Sequence, residues 1–228
     1  NTSDNLLDSW LIAKLNQLTT DVTKAMEVYD LPRAVRPIQE FVDEFSTWWL
    51  RRSRDRFKGD DQDDKQKALM TFKYVLLELS KVMAPFLPFM AESVYQDVGG
   101  DLESVHLERW PDNQEVDNSL ISQMTEVRKI IELGLAKRSE VGIKIRQPLN
   151  KISVMGLNKN VVRELENNNQ WLEIIKDELN VKQVNYVVEG EFAVQLDTEI
   201  TSELKTEGIL RELVRTINGM RKDAGLTI

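Results

Sequence analysis

Phe45-Ser46-Thr47-Trp48-Trp49-Leu50-Arg51-Arg52-Ser53-Arg54-Asp55-Arg56-Phe57-Lys58 joins an aromatic run to a cationic one, in a chain of formal net charge −8. Four arginines in six residues beside two tryptophans are what a surface needs to hold phosphates and stack unpaired bases. The same residues also read as a solvated helix end, with basic groups at the negative pole of the helix dipole and the tryptophans in the core. Both readings stay open on this stretch alone. Helix phase makes Trp48 the expected core residue and Trp49 the one expected to be partly exposed.

Working outward, Ala34, Ile38, Phe41, Val42, Phe45, Trp48 and Trp49 recur at helical spacing, so the arginines end a helix. Pro32 suits its first turn, and Pro37 is expected to bend its axis. Before it, Leu7, Leu11, Leu15, Leu18, Val22, Met26 and Tyr29 form the stripe of another helix, with Asp4 or Asp8 as its expected cap. After Gly59 the acidic run Asp60-Asp61-Gln62-Asp63-Asp64 suits the start of a third helix, carried by Ala68, Phe72, Val75, Leu79, Val82 and Phe86. Pro85 stops that helix. Pro88 opens a short fourth one, with Met90, Val94, Tyr95 and Val98, which ends at Gly99-Gly100. Ser104 to Pro111 reads as extended, with His106 at a surface or edge. Leu120, Met124, Val127, Ile131 and Leu135 carry a fifth helix.

Past Gly142 the period changes. Lys151 to Met155 reads as a strand, and Asn160 to Leu179 as one or two helices. Val181 to Val188 and Glu191 to Leu196 read as a hairpin turning at Glu189-Gly190. A long last helix follows Asp197 on Ile200, Leu204, Ile209, Leu213, Ile217 and Met220. The fold class is therefore mainly α: an antiparallel helical bundle over 1–142, then a small α+β unit over 143–228.

Composition narrows the chemistry. At 228 residues, 41% hydrophobic and 30% charged, the chain has the make-up of a globular protein. No apolar run approaches the ~18 residues of a membrane span, which points to the cytoplasm. The absence of cysteine excludes disulfides and thiolate zinc sites, and the single histidine excludes paired-imidazole sites. Ten scattered glycines fit no phosphate-binding loop. No carboxylate pair stands in an apolar setting that would split its pKa values. No catalytic centre and no cofactor or metal site is expected in this stretch. The chain opens at Asn1 without a methionine and stops at Ile228 just after a helical pattern, so it is expected to be a piece of something longer.

Basic residues recur in three clusters: Arg51, Arg52, Arg54, Arg56 and Lys58; Lys137, Arg138, Lys144, Arg146 and Lys151; and Arg211, Arg215, Arg221 and Lys222. In an acidic chain such segregation suits a local path for a nucleic acid. For the third cluster, pairing of Arg211 and Arg215 with Glu207 and Glu212 is an equal alternative. The second is the stronger, since Gly142 and Pro148 bracket it in a loop.

Asp8-Ser9-Trp10-Leu11-Ile12-Ala13-Lys14-Leu15, Trp48 to Phe57, Ala84-Pro85-Phe86-Leu87-Pro88-Phe89-Met90-Ala91-Glu92 and Ser104-Val105-His106-Leu107-Glu108 resemble successive blocks of the anticodon-binding region of class I isoleucyl-tRNA synthetases. Ile143-Lys144-Ile145-Arg146-Gln147-Pro148-Leu149 and the segment Leu196 to Arg215 resemble its C-terminal portion. The proline-phenylalanine block is shared with valyl and leucyl relatives. Position 49 carries tryptophan where the family often has tyrosine, and Lys58 stands where tryptophan is common.

The resemblance implies attachment of isoleucine to its tRNA with ATP and magnesium, in catalytic and editing domains elsewhere in the same polypeptide. The His-Ile-Gly-His and Lys-Met-Ser-Lys-Ser signatures do not occur here. It implies a monomer whose RNA-binding residues are Trp49, Arg51, Arg52, Arg54, Arg56, Lys144 and Arg146. The rival readings are a valyl-type relative and a helical protein-interaction module that binds no RNA.

Overall fold

The computed structural model describes residues 4–226. Two compact units divide between Ile121 and Ser122.

In the first unit, α1 (Leu6–Glu27) is capped by Asn5, whose side chain accepts from the backbone N–H groups of Leu7 and Asp8. Neither expected aspartate is the cap. Asp8 is instead fully buried. Tyr29 lies beyond α1, in the left-handed region at φ 58° and 90% exposed, so it does not complete the apolar stripe. Asp30 caps α2 (Leu31–Glu44), which holds Pro37 within it. The chain then passes without a break through a π-helical segment, Phe45–Leu50, into α3 (Arg51–Lys58).

That π segment decides which tryptophan is buried. At the ~100° per residue of an α-helix, Trp48 would lie about 20° from the direction of Phe41 and Trp49 about 80° from it. A π turn takes in one extra residue. It carries Trp49 back to the inner face, so that Phe41, Phe45, Trp49 and Ser53 are all buried, at steps of four. The expected roles of the two tryptophans are thus exchanged: Trp49 is 0% exposed and Trp48 half-buried. Trp49 stacks on Phe45 (centroids 5.7 Å apart) and on Phe72 (6.2 Å), and meets Phe57 edge-on at 6.0 Å. This cluster seats α3 against α4 (Gln62–Met83), whose N-cap Asp61 comes from the acidic turn.

Pro88 opens α5 (Pro88–Val98), and Gly99 closes it at φ 76°. Val105–Leu107 is a short 3-10 turn rather than an extended segment, begun by the Ser104 hydroxyl accepting from the His106 N–H. His106 is exposed, as expected.

Helix α6 (Asn118–Glu140) runs across the division into the second unit. The compact units therefore part ahead of the boundary expected between residues 142 and 143. The reason is packing. Within the second unit, Gly134 of α6 leaves room for the Leu179 side chain, which a Cβ would meet at 2.6 Å, and Gln123 accepts from the Trp171 indole at 3.1 Å.

The sheet has the order β2-β1-β3. β1 (Leu149–Met155) pairs in parallel with β2 (Val181–Val187) and antiparallel with β3 (Ala193–Leu196). Helices α7 (Lys159–Asn167) and α8 (Asn169–Leu179) form the crossover that a parallel pair requires. The expected hairpin between β2 and β3 is therefore not formed. β1 stands between them, and the connection crosses its end at Gly156. This glycine has φ 74°, and a Cβ there would lie 2.4 Å from the Glu191 carbonyl carbon. Gly156→Ala should cost about 2 kcal/mol or more, from left-handed strain plus the backbone clash, read as a lower urea midpoint.

Helix α9 (Ser202–Asp223), capped by Thr201, buries Leu204 and Gly208. Ile209, Leu210, Leu213, Val214, Ile217 and Met220 stay exposed along it.

Candidate nucleic-acid interface

On α3, residues three and four apart share a face. Arg51, Arg54, Asp55 and Lys58 are all exposed and make that stripe, three cations to one acid. The Arg51 Nε donates to the Thr47 carbonyl oxygen at 2.8 Å, and its guanidinium carbon lies 5.9 Å from the centre of the Trp48 ring. A half-buried indole and a guanidinium are thereby held together at the mouth of the stripe, a geometry suited to cation–π contact and base stacking. The aromatic member of this surface is Trp48 rather than Trp49. Arg52 is half-buried on the flank of the helix.

Arg56 departs from the expected role. Its Nη1 and Nη2 donate to Asp8 at 2.7 and 2.9 Å, and its Nε and Nη2 to Asp64 at 3.0 and 2.8 Å. The side chain is only 13% exposed. Asp8 also accepts from the Trp49 Nε1 at 2.7 Å. Burial pulls the Arg56 pKa down, but the hydrogen bonds and charges of Asp8 and Asp64 outweigh it, and the net shift is upward. Arg56 ties α1, α3 and α4 together, so its charge is already balanced by two carboxylates and four of its five N–H donors are engaged.

In the second unit, Lys144, Ile145 and Arg146 are exposed in the loop before β1. Arg146 lies 3.5 Å from Glu212 with 44% of its side chain exposed. The loop is held from beneath by Arg138, which is 2% exposed. Arg138 donates to the carbonyl oxygens of Lys144 (3.2 Å), Gln147 (2.9 Å) and Asn180 (2.9 Å). Burial lowers its pKa to about 10, which still leaves it charged at neutral pH. Arg138 thus leaves the basic surface cluster and becomes a structural cation. Gln147 anchors the loop's other end, donating to the Leu204 carbonyl at 2.8 Å and packing where Gly208 lacks a side chain.

The third basic cluster takes the pairing alternative. Arg211 reaches Glu207 and Arg215 reaches Glu212, each at 2.7 Å. Glu212 is held below its usual pKa, chiefly by the hydrogen bond from Arg215.

Of the seven residues singled out in the sequence, Arg51 and Arg54 share one exposed face in the first unit. Lys144 and Arg146 share an exposed loop in the second. Arg52 is half-withdrawn, and Trp49 and Arg56 are inside. Among the described residues, no group of three or more histidines or acidic side chains is placed to hold a metal ion, and no helix is long and apolar enough to cross a membrane.

Comparison with known proteins assigns the helical unit that carries this basic-aromatic face to a family. The family model of the anticodon-binding domain of tRNA ligase matches residues 8–154, and the chain belongs to that family. Over nearly its whole length the chain corresponds to a segment of isoleucine–tRNA ligases. It is 36% identical to the one of Dehalococcoides mccartyi over 97% of the chain and 24% of that protein. It is 39% identical to that of Clostridium acetobutylicum over 89% of the chain and 19% of that protein. To the Protochlamydia amoebophila enzyme it is 35% identical, over 97% and 21%. The chain spans about a fifth to a quarter of the length of these relatives.

Proposed function

We propose that this chain holds the anticodon stem and loop of an isoleucine-accepting tRNA for an isoleucine–tRNA ligase. Arg51 and Arg54 take phosphates, and Trp48 offers its indole to an unpaired base. The observation that carries this reading is the exposed Arg51-Arg54-Lys58 stripe beside the Arg51–Trp48 pair, in a family-matched unit of a chain with net charge −8. Lys144 and Arg146 add a second phosphate contact from the loop before β1. Arg52 contributes from the flank of α3.

In this proposal the isoleucine is activated with ATP and magnesium in catalytic and editing domains of the same cytoplasmic, monomeric polypeptide. No step of that chemistry is assigned to the residues of this chain.

The test is a titration of the chain with isoleucine tRNA and valine tRNA transcripts across a salt series. Arg51→Ala combined with Arg54→Ala should weaken isoleucine tRNA binding about tenfold or more and flatten the slope of log K against log salt by about 2. Unchanged affinity and slope would remove the assignment. A preference for the valine transcript would transfer it to a valyl-type enzyme.

A further inference from the structure

The corner between α1 and α2 closes in an uncommon way. The Asp30 N–H donates to the Ala25 carbonyl at 2.9 Å and the Tyr29 N–H to the Met26 carbonyl at 3.0 Å. That pair of bonds is the Schellman termination of a helix, and the residue it forces into the left-handed region is usually glycine. Here it is Tyr29, at φ 58°. A bulky residue in that conformation is strained, and such outliers cluster at binding sites. Nor is the strain offset by burial, because Tyr29 is 90% exposed. Stability would be served better by glycine, so the ring is kept for something outside the fold.

Its surroundings indicate what. Lys24 stands on the last turn of α1, Arg33 in the first turn of α2, and Arg36 one turn further along the same face. All three are exposed, and none forms an ion pair or side-chain hydrogen bond among the described residues. The acids next to the ring are Glu27 and Asp30. Asp30 is engaged in capping, accepting from the Arg33 N–H at 3.1 Å. An exposed aromatic ring between two helix turns that carry three exposed cations complements a base with its phosphates.

We infer that Tyr29, with Arg33 and Arg36, forms a second nucleotide subsite, which stacks one unpaired base of the RNA and holds its flanking phosphates. The inference rests on the RNA-binding reading above and adds to it a contact outside the α3 stripe. It differs from a structural role in one respect. Replacing Tyr29 by glycine relieves the strain while removing the ring, so RNA affinity and stability move apart.

The experiment compares the chain with its Tyr29→Gly, Tyr29→Phe and Arg33→Ala/Arg36→Ala variants. Each is titrated against an anticodon stem-loop RNA and against a duplex of equal length without a loop. 2-Aminopurine is placed at each loop position in turn. Tyr29→Gly should weaken the stem-loop about five- to 150-fold, the span of one lost stack. It should leave the duplex unaffected, abolish 2-aminopurine quenching at one position and not lower the thermal midpoint. Tyr29→Phe should bind like the unmodified chain. Arg33→Ala/Arg36→Ala should flatten the salt slope by about 2. Stem-loop binding unchanged by Tyr29→Gly, while Arg51→Ala/Arg54→Ala weakens it, would overturn this subsite alone. Equal losses on stem-loop and duplex would also overturn it. No salt-sensitive binding of the stem-loop by the unmodified chain would overturn the subsite together with the RNA-binding reading.

Discussion

Asp8→Ala is expected to destabilise the first unit by about 3–5 kcal/mol, the usual cost of stranding a buried charge by deleting its partner. Asp8 is 0% exposed, and its two oxygens receive two guanidinium donors and an indole N–H, all within 2.9 Å. With the carboxylate gone, Arg56 keeps Asp64, whose side chain is 38% exposed and better hydrated, and Trp49 keeps a buried N–H with no acceptor at Asp8. Each loss is of the kind that costs more than the bond itself was worth. The urea midpoint reads the effect directly.

Asp8→Leu combined with Arg56→Met should recover part of the deficit, since apolar replacement of a buried pair removes the stranded charge. A loss under about 1 kcal/mol for Asp8→Ala would mean that Arg56 is not the tie between α1, α3 and α4. The same variants separate structure from recognition. Arg56→Ala should lower stability, yet leave the salt slope of RNA binding unchanged at temperatures where the chain stays folded. The exposed Arg54, two residues earlier, should behave in the opposite way.

The contrast between Arg54 and Arg56 shows what the sequence alone carried. The helices were legible because their stripes recur at three and four residues, and the caps at Asp61, Pro88 and Gly99 stand where local chemistry puts them. Long-range pairing was not legible. Nothing near Arg56 in sequence announces that Asp8, 48 residues away, is its acceptor. The tryptophans were exchanged for a geometric reason, because a 3.6-residue period cannot register the residue that a π turn takes in. The hairpin reading was locally sound and failed on topology: Glu189-Gly190 does turn the chain, but Gly156 lets that turn cross β1 instead of folding β3 onto β2. Likewise helical spacing marks the α9 stripe from Leu204 onward, with Ile200 lying ahead of the Thr201 cap, while that period cannot tell that Leu213, Ile217 and Met220 stay uncovered in this chain. Tyr29 falls on the α1 stripe by spacing alone, because helical spacing continues numerically past the point where the backbone reverses. Its one local signal was the Asp30-Leu31-Pro32 start that follows it.

Arg138→Met should open the start of the sheet while sparing its far end. The guanidinium spans three carbonyls that no single backbone donor reaches together, those of Lys144, Gln147 and Asn180. Two lie in the loop before β1. The third, Asn180, is also the acceptor for the Leu149 N–H at 3.0 Å, where β1 and β2 begin. Methionine fills similar space without donating, so it leaves these part-buried oxygens without their donor, at about 1–3 kcal/mol for each one that finds no substitute. A net loss of about 3 kcal/mol is expected. Hydrogen exchange locates it: the Leu149 amide should lose protection first, while the Gly156 amide, bonded to the Val187 carbonyl at 2.9 Å at the other end of β1, should open only with global unfolding. Arg138→Lys keeps the charge but not the fork, and one ammonium cannot reproduce the three-way span, so it should fall between the two. If Leu149 and Gly156 lost protection together, Arg138 would serve the whole unit rather than this junction. Because the loop it supports carries Lys144 and Arg146, Arg138→Met should also weaken RNA binding without removing a single exposed charge. In Arg138→Lys that weakening should shrink in step with the recovered protection at Leu149, the signature of a residue that positions the loop rather than touching the RNA.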